Sequence, residues 1–298
     1  MEKIKAVEAY WDSNPCQASV YFGNIDKKSA FNEIERERYR VFWRIPEFAD
    51  FPAFKGKKVL EIGCGIGTDG IQFARSGASY TGADLTDSGI NIARERFALF
   101  SQQGDFVRIN AEKLTFPDNY FDHVYSFGVI HHSVDPEKIV AEIYRVLKPG
   151  GSITIMLYNR TSFYYLIEVK IIRKIFFKLC GKKKLCRIAF SLFNKNLFAR
   201  FESFRKKLEE MKITNRRPSE QAWISMNTDD VLCPIARVYS RAEAEEIFAR
   251  FRDFKTETWF IDKQNWFLWL AFGRFVPRHA VKWLESKSGW FRMVRAKK

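Results

Sequence analysis

Three glycines at alternate positions, Gly63, Gly65 and Gly67, follow a short apolar run in which Val59, Leu60 and Ile62 surround one acid, Glu61. Glycine lets a backbone approach a ligand closely because no Cβ stands in the way. A helix beginning just after such a turn offers free N–H groups. These residue types favour strand, cradling loop and helix, and the chemistry is the holding of a nucleotide-like cofactor. Residues 65–70, Gly-Ile-Gly-Thr-Asp-Gly, also satisfy the dinucleotide pattern G-x-G-x-x-G, and Asp84 follows Gly65 by nineteen residues. That is near the spacing of roughly 20 expected for a ribose-binding acid. On this run alone a nicotinamide cofactor stays open.

A second group able to do chemistry is the pair His131-His132 in Gly128-Val-Ile-His-His-Ser133, two of the four histidines in the chain. Histidine is the natural base near neutral pH, so either is a candidate catalytic base. The alternative is that they cap the next helix or orient the loop. No third ligand stands at metal-site spacing, so no metal site is expected.

The elements that must position these groups follow in order. Ser79–Asp84 reads as the second strand. Thr86 is a good N-cap for a helix carrying Ile90, Ile92, Ala93 and Phe97. Phe106–Ile109 reads as a third strand ending in Asn110-Ala111-Glu112, and Tyr120–Phe127 as a fourth. Asp135-Pro136 opens a helix in the favoured way, with Ile139, Ile143, Val146 and Leu147 on one face and Lys148-Pro149-Gly150-Gly151 as its stop. Ser152–Leu157 is a fifth strand. Ligands of open α/β sheets bind beyond the carboxyl ends of the strands, which places His131 and His132 near the glycine loop.

This ordered set resembles the class I S-adenosylmethionine (SAM)-dependent methyltransferases over about residues 57 to 158. The matching residues are Glu61 to Gly67, Asp84, Asn110-Ala111-Glu112, Phe121-Asp122, His131-His132 and Leu147 to Gly151. The branch of ubiquinone- and menaquinone-biosynthesis methyltransferases is the most similar. The resemblance implies an α/β fold, a doubly wound, seven-stranded, mostly parallel Rossmann-like sheet with an inserted helical lid, and SAM as cofactor. It implies that Gly63, Gly65 and Gly67 line the methionine part, that Glu61 helps hold the amino group through water, and that Asp84 accepts from both ribose hydroxyls. Leu85 and Ala111 would flank adenine, and Cys64, Glu112 and Phe127 complete the cofactor set. Gly70 is left to helix packing. The family usually carries Asp where Asn110 stands; an Asn can still accept through its carbonyl oxygen.

Methyl transfer asks little machinery of a protein. The sulfonium already activates the methyl group, so alignment is the main work, a dry site helps, and a base depends on the acceptor's pKa. Methyltransferases of nucleobase amino groups or glutamine amides typically carry Asp/Asn-Pro-Pro-Tyr/Phe after the fourth strand, whereas this chain has Ser126-Phe127-Gly128-Val129. O-, S-, carbon-acid and aliphatic N-methylation remain open.

The formal net charge is +15, unevenly spread. Residues 1–159 hold 19 basic and 21 acidic residues, net −2; residues 160–217 hold 17 and 4, net +13; residues 218–298 hold 14 and 10, net +4. The excess sits where the resemblance implies a lid. Phe163–Leu179 is helical in pattern, with Lys170, Lys174 and Lys178 on one side and Leu166, Ile167, Ile171, Ile175 and Leu179 on the other. Phe190–Leu208 mixes Phe193, Leu197, Phe201 and Phe204 with Lys195, Arg200, Arg205 and Lys206. Basic amphipathic helices suit a membrane surface, and an anionic amphiphile or nucleic acid equally; a lid with a solvated basic face is the plainer reading.

Further along, Arg237–Arg241 leads into a helix with Ala244, Ile247 and Phe251, Phe254–Ile261 alternates like a strand, and Trp290–Ala296 is the last strand. Between these strands lies an aromatic excursion, Trp266, Phe267, Trp269, Phe272, Phe275 and Trp283, read as core packing, with an apolar substrate wall as the alternative. Near the N-terminus Tyr10, Trp11, Tyr21 and Tyr39 are candidates to cover the cofactor, since aromatic faces attract a sulfonium, with plain packing as the alternative; Tyr158 is a further candidate on the acceptor side. The expected organisation is an N-terminal helical cap (1–50), a SAM-binding core (51–159), a basic helical insert or lid (160–235) and the rest of the core with the aromatic excursion (236–298).

Five cysteines, Cys16, Cys64, Cys180, Cys186 and Cys233, form no C-x-x-C pair, which fits a reducing cytoplasm. No apolar signal core opens the chain, and no run of about 18 apolar residues could span a bilayer. The expectation is a cytoplasmic methyltransferase of a small, amphiphilic or aromatic acceptor, with peripheral contact to an anionic inner membrane face open. The alternative is a nucleic-acid-directed methyltransferase or a non-catalytic SAM-binding module docking through the basic insert. Oligomeric state is left open.

Overall fold

A computed structural model of the chain describes residues 2–15, 26–175, 219–229, 233–261 and 275–298. The N-terminal part supplies α1 (Glu2–Ser13), α2 (Lys27–Val41) and a short α3 (Ile45–Ala49). Then β1 (Lys58–Ile62), α4 (Gly70–Arg75), β2 (Ser79–Asp84), α5 (Asp87–Leu99), β3 (Asp105–Arg108), β4 (Phe121–Phe127), α6 (Pro136–Val146) and β5 (Leu147–Tyr158) alternate strand and helix. After a π-helix (Tyr164–Ile172) come α7 (Glu220–Thr228), α8 (Arg241–Ile247), β6 (Arg252–Trp259), α9 (Arg278–Ser288) and β7 (Phe291–Lys297).

The strands form one seven-stranded, mostly parallel sheet in the order β3-β2-β1-β4-β5-β7-β6. β1 is central, parallel to β2 (Val59 opposite Tyr80) and to β4 (Val59 opposite His123). The chain steps outward from β1 to β3, then returns to β4 on the other side. The point between β1 and β4 is thus the switch at which open α/β sheets bind ligands. β1 and β4 read as apolar runs because both faces of a parallel sheet are covered; Val59, Leu60, Val124 and Tyr125 are fully buried.

The strands expected before α6 lie within a residue or two of their places, and the two expected caps form. Thr86 Oγ1 accepts from the Gly89 N–H at 3.3 Å, and Asp135 Oδ1 from the Lys138 N–H at 3.1 Å with Pro136 in the first turn. Lys148-Pro-Gly-Gly does not simply stop α6. Leu147 already leaves the helix, and the whole run is drawn into β5, which pairs with β4 through a shift between Phe121 and His123.

Backbone contacts divide the chain into two compact units: Met1–Leu157 with Ala242–Thr256 and Met293–Lys298, and Tyr158–Arg241 with Glu257–Arg292. In the first, α2 covers the glycine loop: Phe31 and Ile34 pack on Ile66 and Ile92, with Phe100 alongside. Burying such side chains stabilises by about 1.5–3 kcal/mol each. Arg96 of α5 is fully buried beneath them. It donates to Thr68 Oγ1 at 2.6 Å and to the Phe31 carbonyl at 3.1 Å, so loop, α5 and α2 share one anchor. Helix α1 is tied down by the Ser88 N–H, which donates to Asp12 Oδ1 at 2.9 Å, and by an Arg108–Glu8 ion pair.

In the second unit Tyr158 stacks on Trp290, centroids 4.4 Å apart, and donates its hydroxyl to Asp229 at 2.7 Å. Residues 164–172 were expected to be an α-helix and form a π-helix. Its inner face buries Tyr164, Tyr165, Glu168 and Val169, fixed by Trp223 Nε1–H donating to the Val169 carbonyl (2.9 Å) and by a Glu168–Arg173 pair at 3.1 Å. The rest of the insert, including Lys178, Leu179 and Phe190–Leu208, lies outside the described residues, as do Trp266, Phe267, Trp269 and Phe272. Phe275 and Trp283 are 69% and 61% exposed, so these two do not fill a core. Helix α8 ends at Ile247, and Phe251 lies beyond it, edge-on to Tyr144 at 5.2 Å. Among the described residues Cys64 is a free thiol, and no helix is long and apolar enough to cross a membrane.

Candidate active site

The loop after β1 turns left-handed at every second residue: φ is +74° at Gly63, +47° at Gly65 and +73° at Gly67. Side chains rarely tolerate that conformation, which accounts for the alternating glycines. The Gly63 and Cys64 N–H groups donate to the Ala83 carbonyl at 2.7 and 3.1 Å, strapping the loop to the end of β2. Gly65 N–H donates to Asp84 Oδ2 at 2.8 Å, and Thr86 gives its N–H and hydroxyl to Oδ1 at 2.9 and 2.7 Å. Asp84 therefore knots the ends of β1 and β2 together.

These strand ends enclose a cavity of about 200 Å³. Glu61, Gly63, Cys64 and Gly65 line it from β1 and the loop, Asp84 and Leu85 from β2, Asn110, Ala111 and Glu112 from the end of β3, and Phe127 from β4. Ten of the eleven expected cofactor positions thus converge. Gly67 is the exception: a Cβ there would meet Ala93 at 3.2 Å and Phe97 at 3.3 Å, so it serves the packing of the loop on α5. Gly70 also packs, since a Cβ would fall 2.2 Å from the Tyr80 hydroxyl. Gly65 differs from both. Nothing lies within 4 Å of where its Cβ would be, so the backbone there faces open space.

Asn110 departs from expectation in detail. Its carbonyl oxygen accepts the Glu112 N–H at 2.9 Å, closing a turn at the strand end. Glu112 in turn accepts the Val134 and Asp135 N–H groups at 3.1 and 3.0 Å, holding the start of α6.

Of the two histidines, His132 lines the cavity and His131 does not. His131 is fully buried, and burial, with His132 beside it, pushes its pKa well below the usual value, so the ring stays neutral. His132 meets Trp11 edge-on at 5.0 Å. Trp11 lines the cavity with Ile4 and Val7 from the same helix. Tyr10 packs edge-on against Trp11 at 4.9 Å without reaching the cavity, Tyr39 points its hydroxyl at Asp69, and Tyr21 lies outside the described residues. Tyr158 is not among the lining residues.

Arg38 and Asp69 are among the lining residues not singled out from sequence. Asp69, almost fully buried, accepts from Arg38 Nε at 2.7 Å and from a second guanidinium nitrogen, from Tyr125 at 2.9 Å and from Tyr39 at 3.1 Å. Burial works against the charge on Arg38, but Asp69 outweighs it and holds the guanidinium cationic, over the Phe127 ring at 5.2 Å. Glu61 behaves oppositely. Burial first, then the nearby Asp69 charge, push its carboxyl well above the usual range, although Tyr80 donates to it at 2.6 Å. Burial raises the Cys64 thiol too, which keeps it un-ionised and a poor nucleophile.

Residues 60–155 match the family model described as a methyltransferase domain. The chain carries a class I SAM-dependent methyltransferase domain. Its cofactor is SAM. Over this domain the chain resembles the demethylmenaquinone methyltransferase of Clavibacter sepedonicus, 36% identical over 146 residues, 47% of this chain and 58% of that protein. It also resembles the fatty-acid O-methyltransferase of Mycolicibacterium smegmatis, 36% identical over 125 residues, 41% of this chain and 44% of that one. The chain spans about half the length of the curated relatives it matches. The magnesium protoporphyrin IX methyltransferase of Synechocystis shares the fold over 99% of both chains, with a TM-score of 0.52 and 12% identity.

The lining of the methyltransferase domain fits SAM on its own chemistry. A Cβ at Gly65 would fill open space above the loop, Glu61 has the Tyr80 hydroxyl as its donor and can pair with a cation, and Asp84 is placed for a diol.

Proposed function

We propose that this protein methylates a small amphiphilic or aromatic acceptor with SAM, at oxygen, sulfur, an acidic carbon or an aliphatic amine. The observation that carries the proposal is the composition of the cavity wall. The carboxyls of Glu61 and Asp84 and the glycine backbone line the same cavity as the apolar side chains of Ile4, Val7, Trp11 and Val129. SAM, when bound, supplies an electrophilic methyl group. Glu61 would hold the cationic amino group, Arg38 offers a cation for a carboxylate, Asp84 the ribose, and Leu85 and Ala111 the base. The apolar wall would exclude water, which favours a step in which anionic nucleophile and sulfonium lose charge together.

His132, edge-on to Trp11, is the residue proposed to take the acceptor's proton, and the site would align the accepting atom with the methyl group that SAM supplies. His131 is the structural member of the pair. In support, similar proteins are named for a quinone precursor and for a fatty acid. Acceptors of that kind partition into membranes, so the reading includes a cytoplasmic enzyme working at an anionic membrane surface through the basic segment.

The test is transfer of labelled methyl from SAM into lipid extract, quinone precursors and total RNA. Label in the lipid or quinone fraction is expected; label in RNA alone would overturn the reading. With an acceptor in hand, His132→Gln is expected to lower kcat while leaving the affinity for S-adenosylhomocysteine (SAH) unchanged. Full activity of His132→Gln would remove it from the mechanism.

A further inference from the structure

The π-helix changes which side chains face outward. With α-winding, Leu166 shares the side of Lys170 and Lys174, while Ile171 and Ile175 turn toward the other. Hydrogen bonding from i to i+5 widens the helix, so spacings of four and five residues share a face. Leu166, Lys170, Ile171, Lys174 and Ile175 are all exposed. Leu166 is 42% exposed and Ile171 and Ile175 each 48%, values usual for polar residues. Lys170 keeps a 41% exposed side chain, 3.9 Å from Glu220 and with its ammonium 5.1 Å from the Tyr165 ring centre. The opposite face, Tyr164, Tyr165, Glu168 and Val169, is already buried within its own unit.

Large aliphatic side chains interleaved with lysines are what a bilayer interface selects. The aliphatic groups enter the acyl boundary while lysine stems reach along them to the headgroups. A purely electrostatic partner such as RNA has no use for the two isoleucines and the leucine. The charge complements an anionic surface: residues 160–217, which contain this helix, are net +13, and each cation near such a surface adds about 1 kcal/mol of attraction. We infer that the outer face of helix 164–175, formed by Leu166, Ile171 and Ile175 with Lys170 and Lys174, docks the protein on an anionic lipid bilayer. The inference rests on the membrane reading above and narrows it to one face.

Sedimentation of the full chain with vesicles tests it, using phosphatidylcholine alone and with a third phosphatidylglycerol, at low and raised salt. Expected is binding to the anionic vesicles only, weakened by salt, and at least tenfold weaker in Ile171→Glu/Ile175→Glu. That variant should keep the far-ultraviolet circular dichroism and melting temperature of the unaltered protein, which shows that the fold is intact. A milder Ile171→Ser/Ile175→Ser should weaken binding without adding negative charge. No binding of the unaltered protein would overturn both the face and the membrane reading. Equal binding by both variants would overturn the face alone. Displacement of bound protein by RNA at stoichiometric amounts would overturn the lipid as the occupant.

Discussion

Binding of the cofactor should release a proton, and Glu61 should be its source. In the free protein Glu61 is buried among Asp69, Asp84 and Tyr80, with Arg38 already committed to Asp69. Its carboxyl titrates well above the ordinary value, chiefly because burial penalises the charged form and secondly because Asp69 is anionic. A cationic amino group placed against it reverses both effects. The sign follows. Glu61 has a higher pKa in the folded apo-protein than in the unfolded chain, so apo stability falls as pH rises from the unfolded value toward the folded one. The liganded form keeps Glu61 ionised and escapes that loss. Affinity therefore rises with pH, by up to tenfold or about 1.4 kcal/mol per pH unit where one proton is released. His131, neutral throughout, does not contribute. Calorimetry with SAH between pH 5.5 and 7.5, in paired buffers of different ionisation enthalpy, measures slope and proton count together. Glu61→Gln should abolish the slope and, at the upper end, weaken binding by about 1.5–3 kcal/mol, the range for hydrogen bonds to charged groups, or roughly 10- to 150-fold. Constant affinity with no proton exchange in the unaltered protein would refute the reasoning, as would a Glu61→Gln variant that keeps the full slope.

Three further outcomes follow from the same geometry. Asp69→Asn leaves the Arg38 guanidinium buried without its carboxylate, so urea unfolding should show a loss of about 3–5 kcal/mol, whereas Tyr125→Phe, removing one bond of 2.9 Å to the same acid, should cost only about 1 kcal/mol. Gly70→Ala drives a methyl into the Tyr80 ring and should unfold the domain at a markedly lower temperature, while Gly65→Ala, with open space around it but φ at +47°, should cost only about 1–2 kcal/mol and chiefly abolish SAH binding. Arg96→Met removes the donors to Thr68 and Phe31, and should lower both the melting temperature and SAH affinity, since the loop and α2 lose their common anchor.

What the sequence disclosed and what it hid have physical reasons. The glycine loop, Asp84 and the helix caps were legible because each depends on a neighbour a few residues away. Arg38 was not. It sits in Glu35-Arg-Glu-Arg-Tyr-Arg40, where Arg36 and Arg40 carry the same charge. Rotation of α2 alone separates them: the Arg38 side chain is 16% exposed, those of Arg36 and Arg40 72% and 56%. The π-helix was hidden for a related reason. Lysines four residues apart are the signature of an α-helix face, and a change of hydrogen-bond ladder leaves no mark in residue types. Tyr10 and Trp11 were equal candidates because adjacent positions differ by about 100° around a helix, and it took the docking of α1 through Asp12 and Glu8 to choose Trp11.

The hydrogen bonds of Asp84 bear on how the site is built. A carboxylate has about four acceptor positions, and three are already taken by Gly65 N–H, Thr86 N–H and the Thr86 hydroxyl. Two ribose hydroxyls need two. One position is open on Oδ2, and the donor most easily given up on Oδ1 is the Thr86 hydroxyl, since both backbone N–H groups are fixed by the loop. That hydroxyl also accepts from Gly89 N–H as the N-cap of α5, so it can release Asp84 and still cap the helix. The same logic holds at Asn110, whose carbonyl oxygen spends one lone pair on its own turn and keeps the second. In both places the side chain that shapes the strand end also lines the cavity proposed to hold the cofactor. The proposed cofactor site and the strand-end turns are therefore one hydrogen-bonded structure.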